Sequence, residues 1–183
     1  MGTYIRTVAE VQGQDGWQTN TKKVFTNNLT WTGHTADPFT NKPFFSQNYT
    51  FFELLAGVRA RHNGIVPIAQ NRGLPDDTAD DSMNELINGW EDCTSLTVPE
   101  QNRPMTIYEK VRNRVDWDTN GFSWVTAAEL LAVDYDVQVA EQNDPGAVRS
   151  LRSALGPTYF VHLKQLSDLG NPSMVRVLFA FSG

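Results

Sequence analysis

The segment "SMVRVLFAFSG", residues 173–183, constrains the fold more than any other stretch. Val175, Val177, Leu178, Phe179, Ala180 and Phe181 form a nearly continuous apolar run rich in β-branched and aromatic types. An alternating pattern marks a strand with one wet face. A continuous one marks a strand covered on both faces, and so placed inside a sheet. Arg176 interrupts the run. An arginine in a central strand must be paired, or must line a wet cavity. The sequence leaves both a structural ion pair and an anion pocket open.

The N-terminus supplies a neighbour. In "TYIRTVAEV", residues 3–11, Tyr4, Arg6, Val8 and Glu10 alternate with Ile5, Thr7, Ala9 and Val11, which reads as a strand with one solvated face. "QGQDG" turns the chain and "WQTNTKKVFT" returns it, giving a hairpin. The polar text from Asn27 to Asn48 is long for a connection, and Trp31, Phe39, Phe44 and Phe45 are expected to pin it. Thr50 and Glu53 form a T-x-x-E capping box, with Phe51, Leu54, Leu55 and Val58 giving the following helix its apolar face. Ile65 to Ile68 then read as a short buried return. "DDTADDSMNELINGW" predicts a second helix packed through Met83, Leu86 and Trp90. A short strand is expected in "TSLTVPE" and a helix in "MTIYEKVRNRVDW". Asn120-Gly121 signals a turn, and Thr126 with Glu129 makes a second capping box. "GAVRSLRSALG" and "TYFVHLKQLSDLG" read as late helices ending on Gly156 and Gly170. The fold class that results is α+β. Residues 1–183 form a single domain, with an antiparallel or mixed sheet that uses the N- and C-terminal strands and helices grouped against one face.

Several chemistries find little support. The 183 residues carry a net charge of -6 with no Lys/Arg block, which argues against duplex nucleic acid as a partner. The single cysteine, Cys93, excludes an intrachain disulfide and a cysteine zinc site. His34, His62 and His162 form no H-E-x-x-H pattern or close pair, so neither a metal nor a cofactor is expected. No phosphate-binding glycine motif and no G-x-S-x-G elbow is present. "MGTYIRTVAE" lacks the apolar core of a secretory leader, and no run reaches the ~20 apolar residues of a membrane span. A cytoplasmic protein is the expectation.

Arginine offers another way to hold phosphate, because its planar fork makes bidentate contacts. Arg59, Arg61 and Arg72 lie close in sequence, and Arg176 joins them as a candidate. Gly73, before Leu74-Pro75, suits a positive φ or a close ligand approach. Trp124 or Phe45 would provide a stacking surface, although core packing is the plainer role for Trp124. Asp76, Asp77, Asp80 and Asp81 favour a helix N-terminus, and a cation site is the sharper alternative.

Four segments carry a resemblance: "NYTFFELLAGVR", "NRGLPDD", "WDTNGFSWVTAAEL" and "VRVLFAFS". Together they resemble a family of uncharacterised, bacteriophage-encoded small accessory proteins. The resemblance implies a setting, the host cytoplasm, and no established activity. Relatives in that group carry Gly-His-Ser-His-Ser-Trp over residues 119–124, and Asn120 and Phe122 replace both histidines here. That weakens an enzymatic reading and leaves a binding role untouched. The expectation is a protein that binds a small anionic ligand, such as a nucleotide signal of host defence, through Arg59, Arg61, Arg72, Gly73, Trp124 and Arg176. The alternatives are an inhibitor of a host protein, a nucleotide-processing enzyme (with Asp118 as a candidate acid) and a minor virion component. The oligomeric state stays open, a homo-oligomer included. A cavity shared by Arg72 and Arg176 favours a ligand, whereas pairing of both favours a protein partner.

Overall fold

The apolar C-terminal run is a strand inside the main sheet, buried along Val175–Phe181. The computed structural model describes residues 2–27, 37–88 and 119–182. In chain order the hairpin comes first, with β1 (Tyr4–Gly13) and β2 (Gly16–Thr19) joined antiparallel. The last strand, β9 (Val175–Ser182), lies antiparallel between β1 and β6 (Thr119–Thr126), giving the order β2-β1-β9-β6. The chain is thus an α+β fold whose sheet is built from its two ends. The expected return strand is shorter than its sequence suggested, because it leaves β1 after Thr19.

Both faces of this sheet are covered. Register places Ile5 opposite Phe181, Ala9 opposite Val177 and Val11 opposite Val175. These side chains join the larger core with α1 (Tyr49–Ala56), α3 (Ala127–Leu131), α4 (Leu151–Leu155) and α5 (Pro157–Ser167). Val8, Leu178 and Ala180 face the other way and pack under Leu86 of α2 (Asp80–Asn88). Hence the face of β1 expected to be wet is dry only at its far end: Val8 and Glu10 are buried, while Tyr4 stays exposed. The helices are not all on one side. Each fully buried side chain of the Phe51, Phe52, Phe179 and Phe181 kind contributes about 1.5–3 kcal/mol, so this two-sided burial carries the fold.

A second sheet, β5-β7-β8, is made by β5 (His62–Asn63), β7 (Gln138–Glu141) and β8 (Asp144–Ser150). The first half of "GAVRSLRSALG" is therefore strand, and only Leu151–Leu155 is helix. A short pair, β3 (Phe25–Thr26) with β4 (Phe39–Thr40), closes part of the polar connection. Phe44 pins that connection, but Phe39 is half exposed.

Local signals resolve unevenly. Thr126 and Glu129 make the expected reciprocal capping box. At α1, however, Asn48 is the cap, its side chain accepting from the Phe51 amide, because Glu53 is occupied elsewhere. Asn120-Gly121 is no turn. Gly121, at φ 65°, sits in a bulge of β6, and a Cβ there would stand 3.1 Å from the Phe181 ring. The last helix caps at Asp168, before Gly170. Ile65 to Ile68 is not uniformly buried, since Val66 is 77% exposed. Trp31, Trp90, Cys93, His34, Asp118, "TSLTVPE" and "MTIYEKVRNRVDW" lie outside the described residues.

Candidate functional site

Arg176 projects from β9 onto the α2 face of the sheet, directly opposite Glu10 on β1. Its Nε donates to Glu10 Oε2 at 2.7 Å and its Nη1 to Asp77 Oδ1 at 2.9 Å. The other Glu10 oxygen accepts from the Ala79 amide, so this carboxylate is fully engaged. The guanidinium lies 3.9 Å from the Trp17 ring centroid and 5.9 Å from that of Trp124. Arg176 is thus the structural pair that its central position demanded.

Arg72 meets the same tryptophan from the neighbouring loop. Its guanidinium is 5.3 Å from the Trp124 ring, pairs with Glu129 at 2.8 Å, and donates to the Trp124 and Ile68 carbonyls. Burial pushes the Glu129 carboxyl up, but Arg72 and the Thr126 amide and hydroxyl outweigh it and hold the group below its ordinary value. Arg72 and Arg176 therefore converge on Trp124, and among the described residues neither lines any of the cavities. Among the described residues, three carboxylates, Glu10, Asp77 and Glu129, face these two guanidiniums, so the two arginines carry no excess positive charge. Gly73 sits at φ 71°, a left-handed conformation that suits glycine, with open space beside it among the described residues.

Arg59 and Arg61 are elsewhere, past the left-handed Gly57 that ends α1. Arg59 donates from Nε to Thr3 Oγ1 at 2.7 Å. Arg61 is fixed through its backbone: its amide donates to Glu53 Oε2, and its carbonyl accepts from the Gln142 amide. Its guanidinium lies 4.7 Å from the Tyr49 ring centroid. Among the described residues, no carboxylate pairs with it.

Tyr49 also lines a cavity of about 400 Å³ between the start of α1 and the α4–α5 junction. Phe45 forms part of the apolar wall, and Ser46, Gln47, Asn48 and Thr158 supply polar groups. Among the described residues, no carboxylate contributes to the lining. Asn48 ties its two sides together, capping α1 with one end of its amide and donating to the Leu155 carbonyl with the other. Gln47 donates to the Tyr49 hydroxyl and to the Thr3 carbonyl, which fixes the Tyr49 ring. Gly156 and Pro157 open α5 here with no side-chain cap, so its first turn adds partial positive charge. A void of about 20 Å³ adjoins the cavity and shares Ser46, Asn48, Thr158 and His162 with it.

His162 closes the inner end. Its Nδ1 accepts from the Phe44 amide and its Nε2 donates to the Thr26 carbonyl, each at 2.8 Å. Burial pushes this imidazole below its ordinary value, while the Thr26 carbonyl works the other way. A second histidine is buried too. His62 Nδ1 is 2.8 Å from Glu53 Oε2, and the same carboxylate accepts from the His62 and Arg61 amides. Its Nε2 is buried with no partner. A carboxylate-oriented imidazole is the arrangement acid–base sites use, but none of the cavities described here contains it. Among the described residues no three metal-ligating side chains cluster, and no helix is long and apolar enough to cross a membrane.

Of the expected site residues, Phe45 thus lies in the cavity wall, and Arg61 stacks on Tyr49 of that wall without lining the cavity itself. Arg72, Trp124 and Arg176 form an ion-paired cluster on another part of the molecule. Asn48, Tyr49 and Thr158 escaped the sequence reading, since only their spatial convergence marks them, and His162 entered it only as an isolated histidine. No protein-family description, curated protein or solved structure matches this chain.

Proposed function

We propose that this protein binds a small anionic ligand carrying a planar ring, of the nucleotide class, in the cavity beside Tyr49. One observation carries the reading. On a chain of net charge -6, the described lining of the cavity has no carboxylate, and behind its Tyr49 ring stacks an arginine that no described carboxylate neutralises. Its volume falls in the range of small-molecule sites, about 300–1,000 Å³. Phe45 and Tyr49 line the cavity with aromatic rings, and Asn48, Ser46 and Thr158 offer polar contacts. Arg61, stacked on Tyr49 and outside the lining, would reach a phosphate from beyond that ring. The setting, a phage accessory protein that sequesters a nucleotide signal in the host cytoplasm, rests on the segment resemblance alone.

Calorimetry against adenosine, adenosine 5′-monophosphate and 3′,5′-cyclic adenosine monophosphate tests the reading. Binding of a phosphorylated member, weakened at least about tenfold in Arg61→Ala, supports it. No heat from any of the three, with thermal stability unmoved by a wider nucleotide panel, sinks it. A second reading rests on the α2 face, where Asp76, Asp77, Asp80 and Asp81 are all exposed. There the protein would mimic nucleic acid toward a basic host protein. Stoichiometric binding of a purified DNA-binding protein, lost when the four aspartates become asparagine, would favour it.

A further inference from the structure

We infer that His162 is the positioning residue of this cavity and that its protonation releases the cavity wall. The binding consequence rests on the ligand reading above, whereas the structural consequence rests on hydrogen-bond geometry alone.

A backbone N–H only donates and a carbonyl only accepts. The Phe44 amide therefore fixes His162 Nδ1 as the unprotonated nitrogen, and the Thr26 carbonyl fixes Nε2 as the protonated one. The neutral imidazole satisfies both partners in one tautomer. A second proton must go on Nδ1, where it would face the Phe44 N–H with no acceptor between them. Phe44 has little reason to stay without that bond, because its φ of 50° is a left-handed conformation that a phenylalanine rarely adopts. Near Phe44 the other ties are the Thr7 hydroxyl on the Pro43 carbonyl and the packing of Phe44 against Phe51 and Tyr159, while Gln47 on the Thr3 carbonyl and Asn48 on the Leu155 carbonyl hold the far end of the segment. The next five residues, Phe45 to Tyr49, form one wall of the cavity.

The surroundings keep the switch simple. The rings of Phe25, Phe44 and Phe45 pack around the imidazole. Tyr159, one turn earlier on α5, directs its hydroxyl to Tyr135. On the same helix, Lys164 pairs with Asp168 at the exposed surface. Among the described residues no charged side chain bonds to His162, so none compensates a charge on it. Burial holds the imidazole neutral at pH 7, which puts the event on the acid side of its ordinary value of 6.5.

The experiment follows the Phe44 amide by hydrogen exchange, and the His162 ring nitrogens by NMR, from pH 7.5 to 4.5. In parallel it titrates 3′,5′-cyclic adenosine monophosphate, whose phosphodiester keeps one charge across that range. Phe44 protection should collapse as Nδ1 takes its proton, and affinity should fall by up to about tenfold per pH unit below that point. In His162→Asn, whose amide oxygen can replace Nδ1 as acceptor, Phe44 protection should be flat. Protection that does not change with pH in the wild type, or that falls equally in His162→Asn, overturns the inference. If His162→Asn does not fold, the wild-type titration decides: Nδ1 protonation without loss of Phe44 protection overturns it. Absence of binding at every pH, with protection still lost on acidification, defeats the ligand reading and leaves the tether standing.

Discussion

Replacing Arg176 by methionine removes a guanidinium that is 2% exposed and strands Glu10, which is 0% exposed, in the core beneath α2. Breaking a buried pair from one side leaves an uncompensated charge and costs about 3–5 kcal/mol. The Asp77 arm adds little to that figure, because its carboxylate is 63% exposed and such pairs are worth about 0–1 kcal/mol. Asp77→Asn should therefore be nearly silent. The double variant Glu10→Leu/Arg176→Met removes both charges and fills the space with apolar atoms. It loses the acceptor of the Ala79 amide, at about 1 kcal/mol, and should recover most of the single-variant loss. The two substitutions should then be coupled by roughly 2–3 kcal/mol or more. Urea unfolding read by circular dichroism and tryptophan fluorescence measures this directly, with Trp17 beside the guanidinium as a local reporter. A loss below about 1 kcal/mol in Arg176→Met, or a double variant as unstable as the sum of the singles, would refute the structural role given to this arginine.

Three other outcomes follow from the same geometry. Asn48→Ala removes the α1 cap and the bond to Leu155, and should cost about 1–2 kcal/mol by urea unfolding, with Asn48→Ser recovering part of it. Gly121→Ala adds a Cβ 3.1 Å from Phe181 at a positive φ and should cost roughly 2–3 kcal/mol. Gly73→Ala, at a similar φ in open space, should cost only about 1 kcal/mol by the same assay. Stability should fall with acid in the window below pH 6.5, because His162 takes a proton more readily unfolded than folded. That loss ends once pH passes below the depressed folded value, and His162→Asn should lack the slope. A slope unchanged in that variant would assign it to another group.

What the sequence made legible was mostly set by local chemistry. The apolar run at 175–181, interrupted only by Arg176, reads as an interior strand, and Thr126 with Glu129 reads as a helix cap. Where local signals misled, a distant partner had claimed the residue. Glu53 looks like a capping residue until the chain beyond Gly57 brings the Arg61 and His62 amides onto its carboxylate. Gly121 looks like a turn until Phe181 is seen pressed against it. Residues 146–150 have helical spacing, yet β7 offers them a strand partner. The charged face of β1 reads as solvated because Glu10 is polar, and nothing nearby in sequence announces Arg176. The candidate site was half legible for the same reason. Arg61 and Phe45 were visible by type. Asn48, Thr158 and His162 matter only because α1 and α5 meet.

The most direct measurement is a two-dimensional NMR titration of the whole chain with 3′,5′-cyclic adenosine monophosphate, mapping perturbed amides at pH 7.5. Perturbations should concentrate on Phe45 to Tyr49, Arg61 and Ala154 to Thr158, and spare Arg72, Trp124 and Arg176. Saturable changes centred on Trp124 and its two arginines, or no saturable change at all, would contradict the assignment of the site.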